Sequence, residues 1–569
     1  MAEFKQKFES CIEKHLLWWV FGVALIAAAV NFGVFVYLTG GVFYTDTDCY
    51  TRALRIVDWL NDFQWAEKMF PFFNPPSGFV LHFTRICDVI WVFLSAPFMP
   101  FWPLKEAVFY GGLLFSPLFM GLALVAVFWG IKPYLVDFKG KAAALLTVLA
   151  ALLFYAIKLN DVFDAVRPDH HALMGFVFCF NVAAVLRQWK LPSEKVLFGA
   201  GVLSGVGIWA SSAPEGFLVV AMVLGILAIN RIFYEQPAQN MFWYALGVFL
   251  SVAAAWLINP PYGGHGVLDV ERLSLVHVVL SGVMTATLWG VCWLKSQKRV
   301  YSILALLGAA VVTVGVMLAV FGVKMWLRPL FAPEVWEYCL KYTGEIQPLP
   351  LLSYETPNIV VTFLTLGGLF GLFGWRRHLV DLLILTLFCF AATVLFWRFY
   401  AYLMMMFLFL SALLLYELLY RARKSEKFKW VAFFYLVVPM LVLIAFYMQP
   451  QPQKMSALKG AALVDVLEVS ELVFNQDIDA IGGPYHPNVE GIKDNHLMWF
   501  ATDEQVLKEL MKKHNIRSVY LEPNVRPDYY VAPAENIDKF YGKIMTGEKM
   551  YDWLKKLGDG YYEIDFSRF

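Results

Sequence analysis

The chain has 569 residues, of which 59% are hydrophobic and only 16% charged, with a mean hydropathy of +0.59. Soluble chains carry about 25% charged residues, so a water-soluble multidomain enzyme is excluded, as are a disordered chain and a disulfide scaffold. The net charge of +1 offers no field for nucleic acid, and the 7 cysteines show no disulfide or metal-ligand spacing.

A membrane-spanning helix needs about 20 mostly apolar residues. The segments with that pattern are 16–38, 106–130, 142–158, 171–186, 196–212, 216–230, 242–258, 275–294, 301–321, 358–374, 379–397, 400–419 and 430–447. The first is too long for a signal-peptide core and lacks a small-residue cleavage site, so it reads as a span. Lys and Arg gather in alternate loops: Lys5, Lys7 and Lys14, then Lys132, Lys139 and Lys141, then Arg187, Lys190 and Lys195. The same side continues with Arg231, with Lys295, Lys298 and Arg299, with Arg376 and Arg377, and with Arg421 to Lys429. Basic loops stay in the cytoplasm, which puts the N-terminus inside and the C-terminus outside. The predicted fold is an α-helical polytopic membrane protein of about 13 transmembrane helices, residues 1–448, with a small α/β C-terminal extracytoplasmic domain, 449–569.

The opposite side collects different chemistry. Its first long loop, 39–105, carries Asp46, Asp48, Tyr50, Arg52, His82 and Arg85. Two carboxylates separated by one residue can hold a divalent cation; the plainer reading pairs Asp48 with Arg52 one helical turn on. Next come Arg167, Asp169, His170 and His171 at the mouth of a span. Asp169 and His171 can both reach a metal or a phosphate, or Arg167 and water can satisfy the cluster. Glu215 follows Pro214 at the hydrocarbon boundary, where an ionisable group is functional by default or caps the helix that follows. His265 lies in the next outer loop. A second long loop, 322–357, holds Glu345, Gln347 and Pro348, where Glu345 alone reads as a solvated loop residue. Arg398 stands between Trp397 and Phe399, either as an anchor in an aromatic belt or as a guanidinium fork for phosphate. His82 and Arg85 are further candidates for that work.

The tail opens with Pro450 and Pro452 as a linker. Thr502 and Gln505 make a capping box ahead of an amphipathic helix over 503–514. A strand is expected over 516–521, with a strand end at 479–483. The turn-rich segment 482–491 is expected to help present an acceptor.

In order along the chain, these positions resemble the catalytic subunit of oligosaccharyltransferase, a class C membrane glycosyltransferase. Asp48, Tyr50 and Arg52 look like that family's first-loop Asp, aromatic and basic residues. Asp169 and His171 stand where it has an acidic pair. Thr343, Glu345, Gln347 and Pro348 are similar to its flexible-loop motif, and Arg398 with Phe399 to its late Arg-Phe. The resemblance implies that Asp48, Asp169 and Glu345 are catalytic and bind Mn²⁺ or Mg²⁺, with His171 as a further ligand. It implies that Arg398, aided by His82 and Arg85, holds the phosphate of a donor, with Asp46, His170, Glu215 and His265 as accessory residues. The implied activity moves a sugar or oligosaccharide from a polyprenyl (pyro)phosphate-linked donor in the membrane lipid to a protein, lipid or polysaccharide acceptor, with inversion.

Two departures stand out. The family's Trp-Trp-Asp acceptor motif is absent, since Trp499 and Trp553 stand alone in the tail, and His171 replaces an acid. The alternative is a membrane transporter or flippase of lipid-linked saccharide, which places ionisable residues near the midplane in two matching halves; here they sit at span ends. A purely structural subunit would leave Asp48, Asp169 and Glu345 apart in space. No Asn-x-Ser/Thr occurs in the chain, which favours a bacterial inner membrane with the active site and C-terminus on the periplasmic face.

Overall fold

The computed structural model describes residues 14–135, 160–212, 215–293, 299–321, 333–338, 348–349, 356–422, 458, 460–521, 539–547, 549, 551–558 and 560–569. Among these, nine helices are long and apolar enough to cross a membrane: Leu16–Thr39, Leu104–Tyr134, His170–Arg187, Glu215–Tyr234, Gln239–Ile258, Leu275–Cys292, Val300–Ala319, Arg377–Leu395 and Trp397–Ala422. The segment expected at 196–212 forms the 17-residue helix Glu194–Ala210, and that expected at 358–374 forms a shorter apolar helix, Asn358–Phe373. Those expected at 142–158 and 430–447 lie outside the described residues, as do Glu345 and most of the loop 322–357.

Tyr400–Ala422 is the axis of the bundle, buried along nearly its whole length. The helices around it owe their registers to small residues and to one buried acid. Gly201 and Gly205 of Glu194–Ala210 face Gly247 and Ser251 of Gln239–Ile258. A Cβ on Gly201 would collide with the Tyr244 carbonyl, and one on Gly247 with the Phe198 carbonyl. Lipid gives no hydrophobic drive to helix pairing, so this close approach is how the pair is held. At the C-terminal ends of His170–Arg187 and Glu215–Tyr234, Asp381 accepts hydrogen bonds from Trp189 Nε1 at 2.6 Å and Asn230 Nδ2 at 3.0 Å. A buried carboxylate is costly unless bonded, so this contact pins three helices to one another at the end opposite Asp169 and Glu215.

The tail contains a five-stranded mixed sheet. Its strands are β1 (Ala461–Leu463), β2 (Ala480–Ile481), β3 (Ile516–Tyr520), β4 (Leu554–Gly558) and β5 (Tyr561–Ile564), in the order β2-β1-β3-β5-β4. β1 runs parallel to β2 and β3, while β5 runs antiparallel to β3 and β4. Parallel strands need crossovers, which Val469–Gln476 provides between β1 and β2, and Val489–Trp499 with Glu504–Lys513 between β2 and β3. Trp499, Trp553, Ile516, Val519 and Phe540 form its core, so both tail tryptophans are packing residues. The expected capping box is corrected: Asp503, not Thr502, caps the helix, accepting from Gln505 N at 2.8 Å. A carboxylate suits a helix N-terminus better than a hydroxyl because it also meets the helix dipole.

The sheet is completed by the first long loop. Ala480 N donates to Phe72 O and Gly482 N to Phe73 O, both at 3.0 Å. Gly482 and Gly483 have φ of +116° and +95°, a turn other residues resist, and it lays Gly483 directly on the Phe73 ring. His514, 1% exposed, bridges the Pro75 carbonyl at 2.6 Å and Asp494 Oδ2 at 2.7 Å.

The glycine contact is testable within one helix. Gly201→Leu is expected to lower the unfolding temperature in detergent, with an overpacking cost of about 1–3 kcal/mol or more. Gly199→Leu, whose Cβ meets open space, is expected to leave it unchanged. Equal temperatures for the two variants would rule out the glycine seam as the source of this register.

Candidate functional site

Four helix beginnings meet at one point. Asp46 caps Thr47–Asp62, its side chain accepting from Asp48 N at 2.9 Å. Asp169 caps His170–Arg187, accepting from His170 N at 2.5 Å. Glu215 is the first residue of Glu215–Tyr234. Arg398 lies in the short 3-10 turn Trp397–Phe399 that feeds Tyr400–Ala422. Helix N-termini expose unpaired N–H groups and partial positive charge. That is why the sequence can place three acids together here, and why an anionic ligand suits the same spot.

The side chains form a continuous chain of charge. Arg398 Nε lies 2.8 Å from Glu215 Oε1. His171 Nδ1 lies 3.1 Å from that same oxygen, and His171 Nε2 is 3.5 Å from Asp169 Oδ2. Arg52 Nε reaches Asp169 Oδ1 at 3.2 Å, and its Nη2 reaches His170 Nδ1 at 2.9 Å. The Arg52 guanidinium lies over the Phe83 ring, 3.9 Å from the centroid, a desolvated cation–π contact. Glu215 is fully buried, and Asp169 is 2% exposed. Asp169, His170 and His171 present ligand atoms within 4.8 Å of one another.

Asp48 joins this cluster from the loop side. Burial pushes its carboxyl up to about 7, reinforced by the like charges of Asp46 and Asp169. Burial also pushes Asp169 up, but the adjacent His170, His171 and Arg52 prevail and hold it well below the usual carboxylate range. The Tyr485 hydroxyl, from the tail, donates to Asp48 Oδ1 at 2.9 Å and contacts Thr51 Oγ1 at 2.8 Å. Burial, and then the Asp48 charge, push the phenol well above its ordinary value, so it stays a donor.

Of the sequence-named residues, Asp46, Asp48, Asp169, His170, His171, Glu215 and Arg398 are brought together. The expected Asp48–Arg52 pair does not form, because Arg52 turns to Asp169 and His170. Arg85 is placed in another cluster, committed to Asp88 at 3.3 Å and to the carbonyls of Gln64, Trp65 and Ala66. His82 packs against Phe83 and Tyr485. His265 is exposed, 3.3 Å from the Leu257 carbonyl. Glu345 falls outside the described residues. Sequence spacing pairs Arg52, which the resemblance names, with Asp48 rather than Asp169, and Tyr485 lies in the turn-rich segment 482–491, where nothing in the sequence marks a contact with Asp48.

The donor set fits a divalent cation. Asp169 Oδ2 is a buried carboxylate oxygen without a hydrogen-bond partner among the described residues. An imidazole nitrogen faces it, and the like-charged Asp46 and Asp48 stand close by. Carboxylates with imidazole suit Mn²⁺ or Zn²⁺ better than the all-oxygen shell of Mg²⁺.

No protein-family model and no curated protein matches the sequence. Solved structures do. The archaeal oligosaccharyltransferase AglB from Archaeoglobus fulgidus, in complex with an inhibitory peptide and a dolichol-phosphate, is 14% identical, with a TM-score of 0.65 over 89% of this chain and 69% of that one. The Archaeoglobus fulgidus enzyme tethered to an acceptor peptide containing the NVT sequon is 15% identical, with a TM-score of 0.63 over 90% and 70%. Its complex with Zn and sulfate is 16% identical, with a TM-score of 0.61 over 87% and 67%. The chain therefore has the fold of the archaeal oligosaccharyltransferase.

Proposed function

We propose that this chain is a metal-dependent membrane glycosyltransferase. It transfers a sugar or oligosaccharide from a polyprenyl (pyro)phosphate-linked donor to a protein, lipid or polysaccharide acceptor on the extracytoplasmic, periplasmic face. The observation that carries this reading is the convergence of Asp48, Asp169, His171, Glu215 and Arg398 at helix N-termini. A lipid-linked donor needs its head group at the bilayer surface, positive charge for its phosphate, and apolar walls for its tail. The solved relatives, one with dolichol-phosphate and one with Zn and sulfate, bind ligands of that chemistry.

Asp48, Asp169 and His171 would hold the cation; Glu345, which the resemblance adds as a ligand, lies outside the described residues. A divalent cation held by these residues would supply positive charge to neutralise the phosphate leaving group. Arg398 contacts Glu215 through Nε and His170 Nε2 through Nη2 at 3.5 Å, and its guanidinium would add phosphate oxygens to these partners. The acceptor attacks the anomeric carbon from the face opposite the phosphate. The C–O bond to phosphate breaks, a site carboxylate takes the acceptor's proton, and the polyprenyl phosphate or pyrophosphate departs with the bonding pair. The clustering of charge at one end of the helices, rather than at mid-span, speaks against the flippase reading.

Transfer from a radiolabelled polyprenyl-linked donor tests this directly. Asp48→Asn is expected to reduce transfer by at least about 100-fold, and chelation of divalent cations to abolish it. Transfer that survives both would reject the mechanism. Arg398→Ala is expected to cost about 100- to 1000-fold, the usual loss when one preorganised donor to a developing anion is removed. Arg398→Lys keeps the charge but loses the fork, and is expected to recover only part of that loss in the same assay.

A further inference from the structure

The contacts between Arg398 and Asp169 give Glu215 a role of its own. A carboxylate only accepts, so its 3.1 Å contact with His171 Nδ1 places the ring proton on Nδ1. In the neutral ring Nε2 then turns its lone pair towards Asp169 Oδ2, 3.5 Å away. That oxygen is buried without a hydrogen-bond partner among the described residues. Two acceptors facing each other repel unless a positive charge lies between them. Glu215 is itself fixed: it is fully buried, it opens its helix, and Arg398 Nε holds the same Oε1 at 2.8 Å. Water has no access to take its place.

We infer that Glu215 is a positioning residue that locks His171 in the Nδ1–H tautomer, so that Nε2 and Asp169 Oδ2 form one side of a divalent-cation site. The inference rests on the cation reading proposed above. It departs from that reading in giving a second carboxylate, which does not touch the cation, control over the histidine. The competing arrangement is an imidazolium that bridges the two carboxylates and binds no metal.

The test uses the full chain in detergent with Mn²⁺ alone. Affinity is read from the disappearance of free Mn²⁺, and pulsed electron paramagnetic resonance reports nitrogen bound directly to the metal. The wild type is expected to show a coordinated histidine nitrogen. Glu215→Leu, which removes the acceptor, is expected to bind Mn²⁺ about 10- to 100-fold more weakly, as is usual when a ligand's outer partner is removed, and to lose the nitrogen signal, whereas Glu215→Gln, whose amide oxygen still accepts from Nδ1–H, is expected to keep the signal. The double variant Glu215→Leu/His171→Ala is expected to bind no more weakly than His171→Ala alone, because Glu215 acts only through His171.

Mn²⁺ bound by the wild type without a coordinated nitrogen would overturn the inference, even if Glu215→Leu failed to fold. So would a Glu215→Leu protein that keeps both affinity and signal while Asp48→Asn loses binding; in that case the cation reading stands and only the role of Glu215 falls. A wild type that binds no Mn²⁺ at all would overturn both.

Discussion

The site rests on the pairing of charge buried where four helices begin. Removing one partner from such a pair costs about 3–5 kcal/mol, because an uncompensated charge stays behind. Arg52 stands against Asp169 and Arg398 against Glu215, with His171 in line between the two acids. No single segment supplies the line. It therefore exists only when the helices hold their relative heights, and Asp381 at the far end and the glycine seam of Gly201 and Gly247 set those heights. The apolar bulk of the chain is in this sense a jig for a handful of ions.

Much of this was legible in the sequence, for identifiable reasons. Apolar length revealed the helices that cross the membrane, because lipid penalises any other use of such segments. The shorter Glu194–Ala210 and Asn358–Phe373 are less readily classed by length alone. Asp169, His171 and Arg398 stood out because charge is scarce and each sits at a helix end. Glu215 ranked as accessory, since a lone acid after a proline looks like a cap; it opens its helix, and it is also the hub between Arg398 and His171. Arg85 misled for the converse reason. An arginine in a polar loop resembles a ligand-binding residue, yet folding commits it to Asp88 and three carbonyls. Spacing along a chain shows local partners only, and so Arg52 was matched to Asp48 when its true partner is Asp169, brought in by another helix.

The tail sheet does more than cap the bundle. Its helix Val469–Gln476 packs on Thr47–Asp62, where Ser470 Oγ meets Thr51 Oγ1 at 2.8 Å and Phe474 meets Tyr50. Thr51 in turn touches Tyr485, whose hydroxyl holds one oxygen of Asp48. A small polar network thus joins the strand-bearing unit to the carboxylate nearest the cluster. Position of the sheet and orientation of Asp48 are one mechanical variable.

That linkage bears on the order in which the protein is made. Asp48 enters the membrane among the first residues synthesised, whereas Tyr485 follows 437 positions later. The same is true of the Phe72 and Phe73 backbone, which has to wait for Ala480 and Gly482 before it can join the sheet. Chains grow from the N-terminus and fold as they emerge, so every described span can be inserted while the cluster still lacks its last hydrogen bond. A nascent or truncated chain would carry the helices and most of the charges, but not the assembled whole. Arrival of the segment that carries Ala480, Gly482 and Tyr485 is itself the final step in building the site.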